Sequence, residues 1–225
     1  MPQAGLMMEL PLLLSGVLQH AEAQNGQVDV VSRETHGPLF RYTYADCAKR
    51  ARQLANALAG LGLQAGDVVG SIAWNNHRHL ESYYAVSGSG MVMHTCNPRL
   101  HPDQLIYIIN HAEDKVVLFD TTFAPLVKTI AAHCPQVVAW VCLSDAASTA
   151  ALEGIPHLHA YDTLVDQASD TFEWPQFDEH TAAALCYTSG TTGNPKGVMY
   201  SHRAIVLSAI TCCMPSLLCL SPQET

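Results

Sequence analysis

Residues 67–95 read D-V-V-G-S-I-A-W-N-N-H-R-H-L-E-S-Y-Y-A-V-S-G-S-G-M-V-M-H-T. Two short apolar runs, 67–74 and 91–95, read as strands, and the stretch between them, 75–87, reads as a helix. The runs are continuous instead of alternating, the pattern of strands covered on both faces. A strand, a helix and a second strand in that order form the unit of a parallel sheet with a right-handed crossover.

The same rhythm continues outward. K-V-V-L-F-D (115–120) and Q-V-V-A-W-V-C-L (136–143) are predicted strands, and 102–112 and 123–132 are predicted helices. Leu105, Ile108, Ile109 and Ala112 share one helical face. Upstream, V-D-V-V-S and L-F-R-Y-T flank E-T-H-G-P and read as a hairpin. From Thr43 the spacing of Tyr44, Cys47, Ala48, Ala51, Leu54, Ala55, Leu58 and Leu61 predicts a helix. Thr43 and Asp46 suit a capping box, and Gly62 suits its C-terminal stop. Residues 144–180, rich in Ala, Asp, Ser and Pro, read as a connection with a helix around 161–168. T-A-A-A-L-C-Y (181–187) and G-V-M-Y-S (197–201) then read as strands, followed by a helix over 202–213. The expected fold is α/β, doubly wound and mostly parallel, with helices on both faces. It divides into a first α/β subdomain (1–145), the connection (146–180) and the start of a second subdomain (181–225).

Composition limits the function. The chain has 225 residues, 48% hydrophobic and 14% charged, as expected of a globular protein with a sizeable core. Its formal net charge of −9, from 11 basic and 20 acidic residues, argues against nucleic acid as the main partner. An acidic protein can still hold a locally positive phosphate pocket. The eight cysteines form no C-x-x-C pair and sit mostly in apolar runs, as buried thiols of a reducing cytoplasm do. The twelve histidines show no metal-binding spacing; His77 with His79, and His157 with His159, alternate as in a strand or loop. Glu9 and Pro11 interrupt the N-terminal apolar run, which lacks a preceding basic residue, and no stretch reaches the ~18 apolar residues of a membrane span. The expectation is a cytoplasmic protein, with peripheral membrane association left open.

Between the last two strands lies A-L-C-Y-T-S-G-T-T-G-N-P-K-G-V-M-Y-S-H-R, residues 184–203. A strand that ends in small and hydroxyl residues leaves clustered backbone N–H groups free, and such nests bind anions. Gly190, Gly193 and Gly197 would give the backbone its freedom. Thr188, Ser189, Thr191 and Thr192 supply hydroxyls for phosphate oxygens or for a magnesium-bound water. Lys196 is placed to reach terminal phosphates. The loop is not a Walker loop, because Pro195 precedes Lys196 and Gly197 follows it; nor does it contain G-x-G-x-x-G. Two other places carry two readings. Trp74, Asn75 and Asn76 end a strand where parallel sheets place ligands, while Asn75 also reads as a helix N-cap. Asn97-Pro98-Arg99 reads as a strand-to-helix turn or as part of a site. Tyr83 and Tyr84 read as helix core.

Y-T-S-G-T-T-G-N-P-K-G-V-M-Y-S-H-R resembles the phosphate loop of the AMP-forming acyl-CoA synthetase superfamily, the adenylate-forming ANL enzymes. W-N-N-H-R-H-L-E-S-Y-Y-A-V, H-T-C-N-P-R-L and I-I-N-H-A-E-D-K-V-V-L-F-D resemble its medium- and long-chain fatty-acid–CoA ligases. The likeness runs from about Leu12 to the last residue.

It implies an acid–thiol ligase that joins a fatty acid to coenzyme A at the expense of ATP, through an acyl-adenylate, with Mg2+ as cofactor. Thr188, Ser189, Gly190, Thr191, Thr192, Gly193, Lys196 and Gly197 would bind the ATP phosphates. Magnesium would be contacted through Thr188, Ser189 or Thr191, and His202 and Arg203 could shape the site. Such enzymes carry an adenine-binding aromatic-Gly-x-Thr-Glu motif, a ribose-binding aspartate and a C-terminal domain with an adenylation lysine, all downstream. None of these occurs in the 225 residues, so the catalytic set is expected to be incomplete and the chain inactive alone. Homodimerisation of the full-length protein is left open. Another acid-activating ligase of the superfamily and a non-catalytic ATP-binding remnant remain alternatives.

Overall fold

The computed structural model describes residues 5, 7, 9–35, 38–188 and 194–218. The first element, α1 (Leu14–Asn25), was not expected from sequence. Leu14, Val17, Leu18 and Ala21 share one face at helical spacing, though only Ser15 and Leu18 are buried. The expected hairpin follows as β1 (Asp29–Arg33) and β2 (Leu39–Thr43), antiparallel with Asp29 opposite Thr43.

Helix α2 (Tyr44–Gly60) starts where its capping box predicts: Thr43 and Asp46 satisfy each other's backbone N–H groups. Gly62, at φ +92°, turns the chain out of it. The alternating segment then gives β3 (Val68–Ile72), α3 (His77–Gly88), β4 (Val92–Thr95), α4 (Pro102–His111), β5 (Val116–Phe119), α5 (Ala124–Ile130) and β6 (Ala139–Cys142). Single 3-10 turns at 121–123 and 131–133 flank α5.

Three readings need correction. The N-cap of α3 is Asn76, whose Oδ1 accepts from the His79 N–H at 3.0 Å, and not Asn75. His77 and His79 therefore lie in the first turn of a helix, not in a strand or loop. The stretch 146–180 carries the expected helix, α7 (Tyr161–Gln167), and adds α6 (Ala146–Ala150) and β7 (Leu158–Ala160), which were not expected. Three-residue β7 was too short for periodicity to reveal, and it becomes a strand by pairing with β6.

The last elements are β8 (Ala182–Thr188), β9 (Lys196–Ser201) and α8 (His202–Cys212). The main sheet has the order β7-β6-β5-β3-β4-β8-β9. All neighbours are parallel except the final pair, β8 and β9. Its stretch β4-β3-β5-β6-β7 is the 2-1-3-4-5 arrangement of doubly wound sheets, which reverses direction between β3 and β5.

Strand alternation divides the core between the two faces. Val69, Met93, Val116, Leu118, Ala139 and Val141 face α2, α3 and α7, while Ile72, Val117, Phe119, Trp140 and Cys142 face α4 and α5. Both faces are covered, so apolar residues fill successive positions of the inner strands.

Candidate functional site

In a doubly wound sheet, ligands bind beyond the C-terminal ends of the strands. Two places on that edge concern the predicted site.

The first is the switch point between β3 and β5, where Trp74 and Asn76 lie. Here the polar groups have partners within the chain. The buried Asp120 accepts from the Trp74 N–H at 2.5 Å and from Asn76 Nδ2 at 3.1 Å. Burial raises the Asp120 carboxyl above the usual aspartate range, against those two hydrogen bonds. The Trp74 indole N–H donates to Thr122 Oγ1 at 2.9 Å, and its ring packs on Phe123. Asn97 closes the turn after β4 by accepting from the Arg99 N–H. Trp74, Asn76 and Asn97 thus all hold backbone or neighbouring side chains. Tyr83 and Tyr84 are half-buried against the core, as their helical spacing predicts.

The second place is the β8–β9 hairpin. Thr188 and Lys196 are paired positions at its loop end, and the Thr188 hydroxyl points to the Lys196 carbonyl at a long 3.5 Å. Both residues are exposed, as are Asn194 and Gly197, while Pro195 is buried. Ser189, Gly190, Thr191, Thr192 and Gly193 lie outside the described residues. Gly197 does not serve as a hinge: it has no positive φ. Its lack of a side chain matters for space, since a Cβ would sit 3.1 Å from Leu185 Cδ1 and 3.2 Å from the Tyr187 ring.

The β8–β9 pair is tied to the rest of the sheet by contacts that no sequence spacing announced. Tyr187, one residue before Thr188, reaches across to α4, where its hydroxyl lies 2.6 Å from His111 Nδ1. Its ring also lies 5.1 Å from that of His94 on β4. Burial raises the Tyr187 phenol to about 12, which keeps it protonated. Beside it, Thr95 Oγ1 and Cys186 Sγ are 3.2 Å apart.

His202 and Arg203 face another way. His202 is fully buried and accepts from the Leu14 N–H through Nδ1 at 3.2 Å, beside the Phe177 ring. Burial pushes its pKa down to about 4, so it is neutral. Arg203 pairs with Glu179, whose Oε2 accepts from the Leu12 N–H at 2.7 Å. Both residues therefore hold the segment that leads into α1.

One cluster of metal-ligating types occurs among the described residues: His94, Cys96 and Asp114. Asp114 holds His94 Nδ1 with both oxygens, at 2.9 and 3.0 Å. To do so its carboxylate crosses β3 at Gly70, where a Cβ would lie 2.5 Å from Asp114 Oδ2. The Cys96 sulfur lies 3.6 and 3.8 Å from the two ring nitrogens. Nearly equal distances put it beside the ring instead of on the Nε2 lone pair, where a shared metal would need it. Burial also keeps the Cys96 thiol well above its ordinary pKa. The cluster is a buried, hydrogen-bonded histidine–aspartate pair with a packed thiol.

The described residues form a doubly wound, mostly parallel α/β sheet. Residues 18–225 match the AMP-binding enzyme family, and the chain belongs to it. The chain is 53% identical to a 3-methylmercaptopropionyl-CoA ligase of Ruegeria lacuscaerulensis over 90% of its length, and 50% identical to a medium-chain-fatty-acid–CoA ligase of Ectopseudomonas oleovorans over 98%. It is 41% identical to a long-chain-fatty-acid–CoA ligase of Thermus thermophilus over 97% of its length. It spans 38%, 40% and 38% of those three proteins. A long-chain-fatty-acid–CoA ligase from Archaeoglobus fulgidus shares the fold at a TM-score of 0.78 and 19% identity, over 95% of this chain and 42% of that one. No helix among the described residues is long and apolar enough to cross a membrane.

Proposed function

We propose that this chain is the N-terminal portion of an ATP-dependent fatty-acid–CoA ligase, with the β8–β9 hairpin as its ATP phosphate-binding element. The reading rests on one observation: Thr188 and Lys196 face each other, exposed, at the strand ends that bracket T-S-G-T-T-G-N-P-K-G. In the reaction a carboxylate oxygen attacks the α-phosphorus of ATP, and the bond to the pyrophosphate oxygen breaks. The coenzyme A thiolate then attacks the acyl carbonyl of the adenylate and AMP leaves.

Within that scheme Thr188, Ser189, Gly190, Thr191, Thr192 and Gly193 supply N–H and hydroxyl donors to the β- and γ-phosphates, and Lys196 supplies a cation. Two anions repel as the carboxylate approaches the polyphosphate, so fixed donors facing the phosphates lower the barrier. The donor set suits magnesium, because hydroxyl and phosphate oxygens are hard ligands and the ion keeps several waters. Bound through Thr188, Ser189 or Thr191, it would neutralise phosphate charge. Residues 181–225 would open a second subdomain completed by further chain, and His202 and Arg203 would shape the site indirectly, by anchoring the segment before α1.

Two substrate readings stand. Medium- or long-chain fatty acids are favoured by the relatives at 50% and 41% identity, and 3-methylmercaptopropionate by the relative at 53%. Turnover of octanoate, palmitate and 3-methylmercaptopropionate by the full-length protein distinguishes them. For the 225-residue chain the expected result is MgATP binding weakened roughly 10- to 100-fold in Lys196→Ala, the worth of a charge-assisted bond. No acyl-CoA should form from octanoate or palmitate. Unchanged affinity in the variant overturns the phosphate reading; acyl-CoA above the Lys196→Ala level overturns the expected inactivity.

A further inference from the structure

The β8–β9 hairpin carries the proposed phosphate-binding residues, yet its outer strand β9 is exposed along most of its length. Among the described residues, β9 is held chiefly by its ladder to β8. The strongest tie at its loop end is Tyr187. Its ring lies over Gly197, its directly paired residue on β9, where a Cβ would come to 3.2 Å, a tight contact. Its hydroxyl meets His111 Nδ1, 2.6 Å away, at the C-terminal end of α4. The two rings are also edge-on, 5.8 Å apart. One side chain thus joins the base of the loop on both of its strands to a helix in the first α/β unit, whose apolar face is buried in the core.

We infer that Tyr187 and His111 are positioning residues for the phosphate-binding loop, holding the β8–β9 exit so that Thr188 and Lys196 keep their spacing. The inference rests on the proposed phosphate-binding function of the loop. It adds two residues that would touch neither nucleotide nor acid.

With the imidazole in the tautomer that leaves Nδ1 free to accept, the phenol donates to it. Tyr187→Phe removes that donor and retains the ring over Gly197. His111→Ala removes the acceptor from an exposed site and should leave the fold intact.

The test compares the wild-type chain, Tyr187→Phe and His111→Ala by MgATP titration calorimetry, thermal unfolding and amide hydrogen exchange without nucleotide. Both variants should raise the MgATP Kd roughly 3- to 10-fold, the range set by one neutral hydrogen bond. Their Tm should stay near wild type, and exchange should quicken at 187, 188 and 196–198 but not in β3 or β5. His111→Asn, which restores an acceptor, should recover part of the affinity. Wild-type affinity in both variants overturns the inference, and so does a general loss of Tm with exchange faster throughout. If the wild-type chain itself fails to bind MgATP, the phosphate reading falls, and exchange alone decides whether the pair fixes the hairpin. Unchanged exchange at 187–198 would then overturn the inference as well.

Discussion

Within one sheet, β5 and β9 stand in opposite conditions. Every residue of β5 is buried, with Val116 and Leu118 on one core and Val117 and Phe119 on the other. In β9, Lys196 to Tyr200 are all exposed, including Val198, Met199 and Tyr200. The inner strand is fixed by burial, which is non-directional and tolerates little change of volume. The outer strand is fixed by its ladder to β8 and by a few specific contacts at its ends. A loop with the proposed phosphate-binding role would gain from that difference, since polar groups there would stay available while the core supplies stability.

The sharpest way to break the contrast is Asp114→Ala. It leaves the buried His94 ring without its hydrogen-bond partner, and an unsatisfied buried polar group is expected to cost about 1–3 kcal/mol. Urea unfolding should show a midpoint far below that of Lys196→Ala, an exposed change expected to leave stability near wild type. Equal midpoints would mean that the interior and the loop are not separable in this way.

Acid sharpens the comparison next. Burial depresses His77 to about 3 and His202 to about 4, against 6.5 for a free histidine, so the unfolded chain binds more protons between those values. The stability that these neutral rings contribute is fully present above pH 6.5 and declines as pH falls toward 4. Each contributes a slope of up to about 1.4 kcal/mol per pH unit. His202→Asn should flatten the slope of unfolding free energy measured between pH 6.5 and 4.5; an unaltered slope would show that His202 does not titrate as its burial demands.

The smallest expected effect is Thr43→Ala. It removes the capping box of α2, remote from both strands, and should lower stability by about 1 kcal/mol without altering MgATP affinity.

The sequence alone determined much of this molecule, because the deciding signals are local. Periodicity set the strand and helix pattern from β3 to β6. Thr43, Asp46 and Gly62 marked the ends of α2 by cap chemistry that acts over three or four residues. The spacing of glycines, hydroxyls and Lys196 marks the loop proposed as a phosphate binder, since an anion nest would need its donors on one short stretch. Tertiary structure decided what depends on distant partners. Asn76 and not Asn75 caps α3, because Asn76 also reaches Asp120 across the switch point. Trp74 and His202, plausible ligand contacts by position, bond to Thr122 and to the segment before α1. β7 exists through its pairing with β6, and Gly197 is explained by the Tyr187 ring opposite it, not by backbone freedom. Tyr187 meets His111 from 76 residues away, and such a hydrogen bond leaves no periodic trace in a chain, because only packing of the sheet against α4 brings its two ends together.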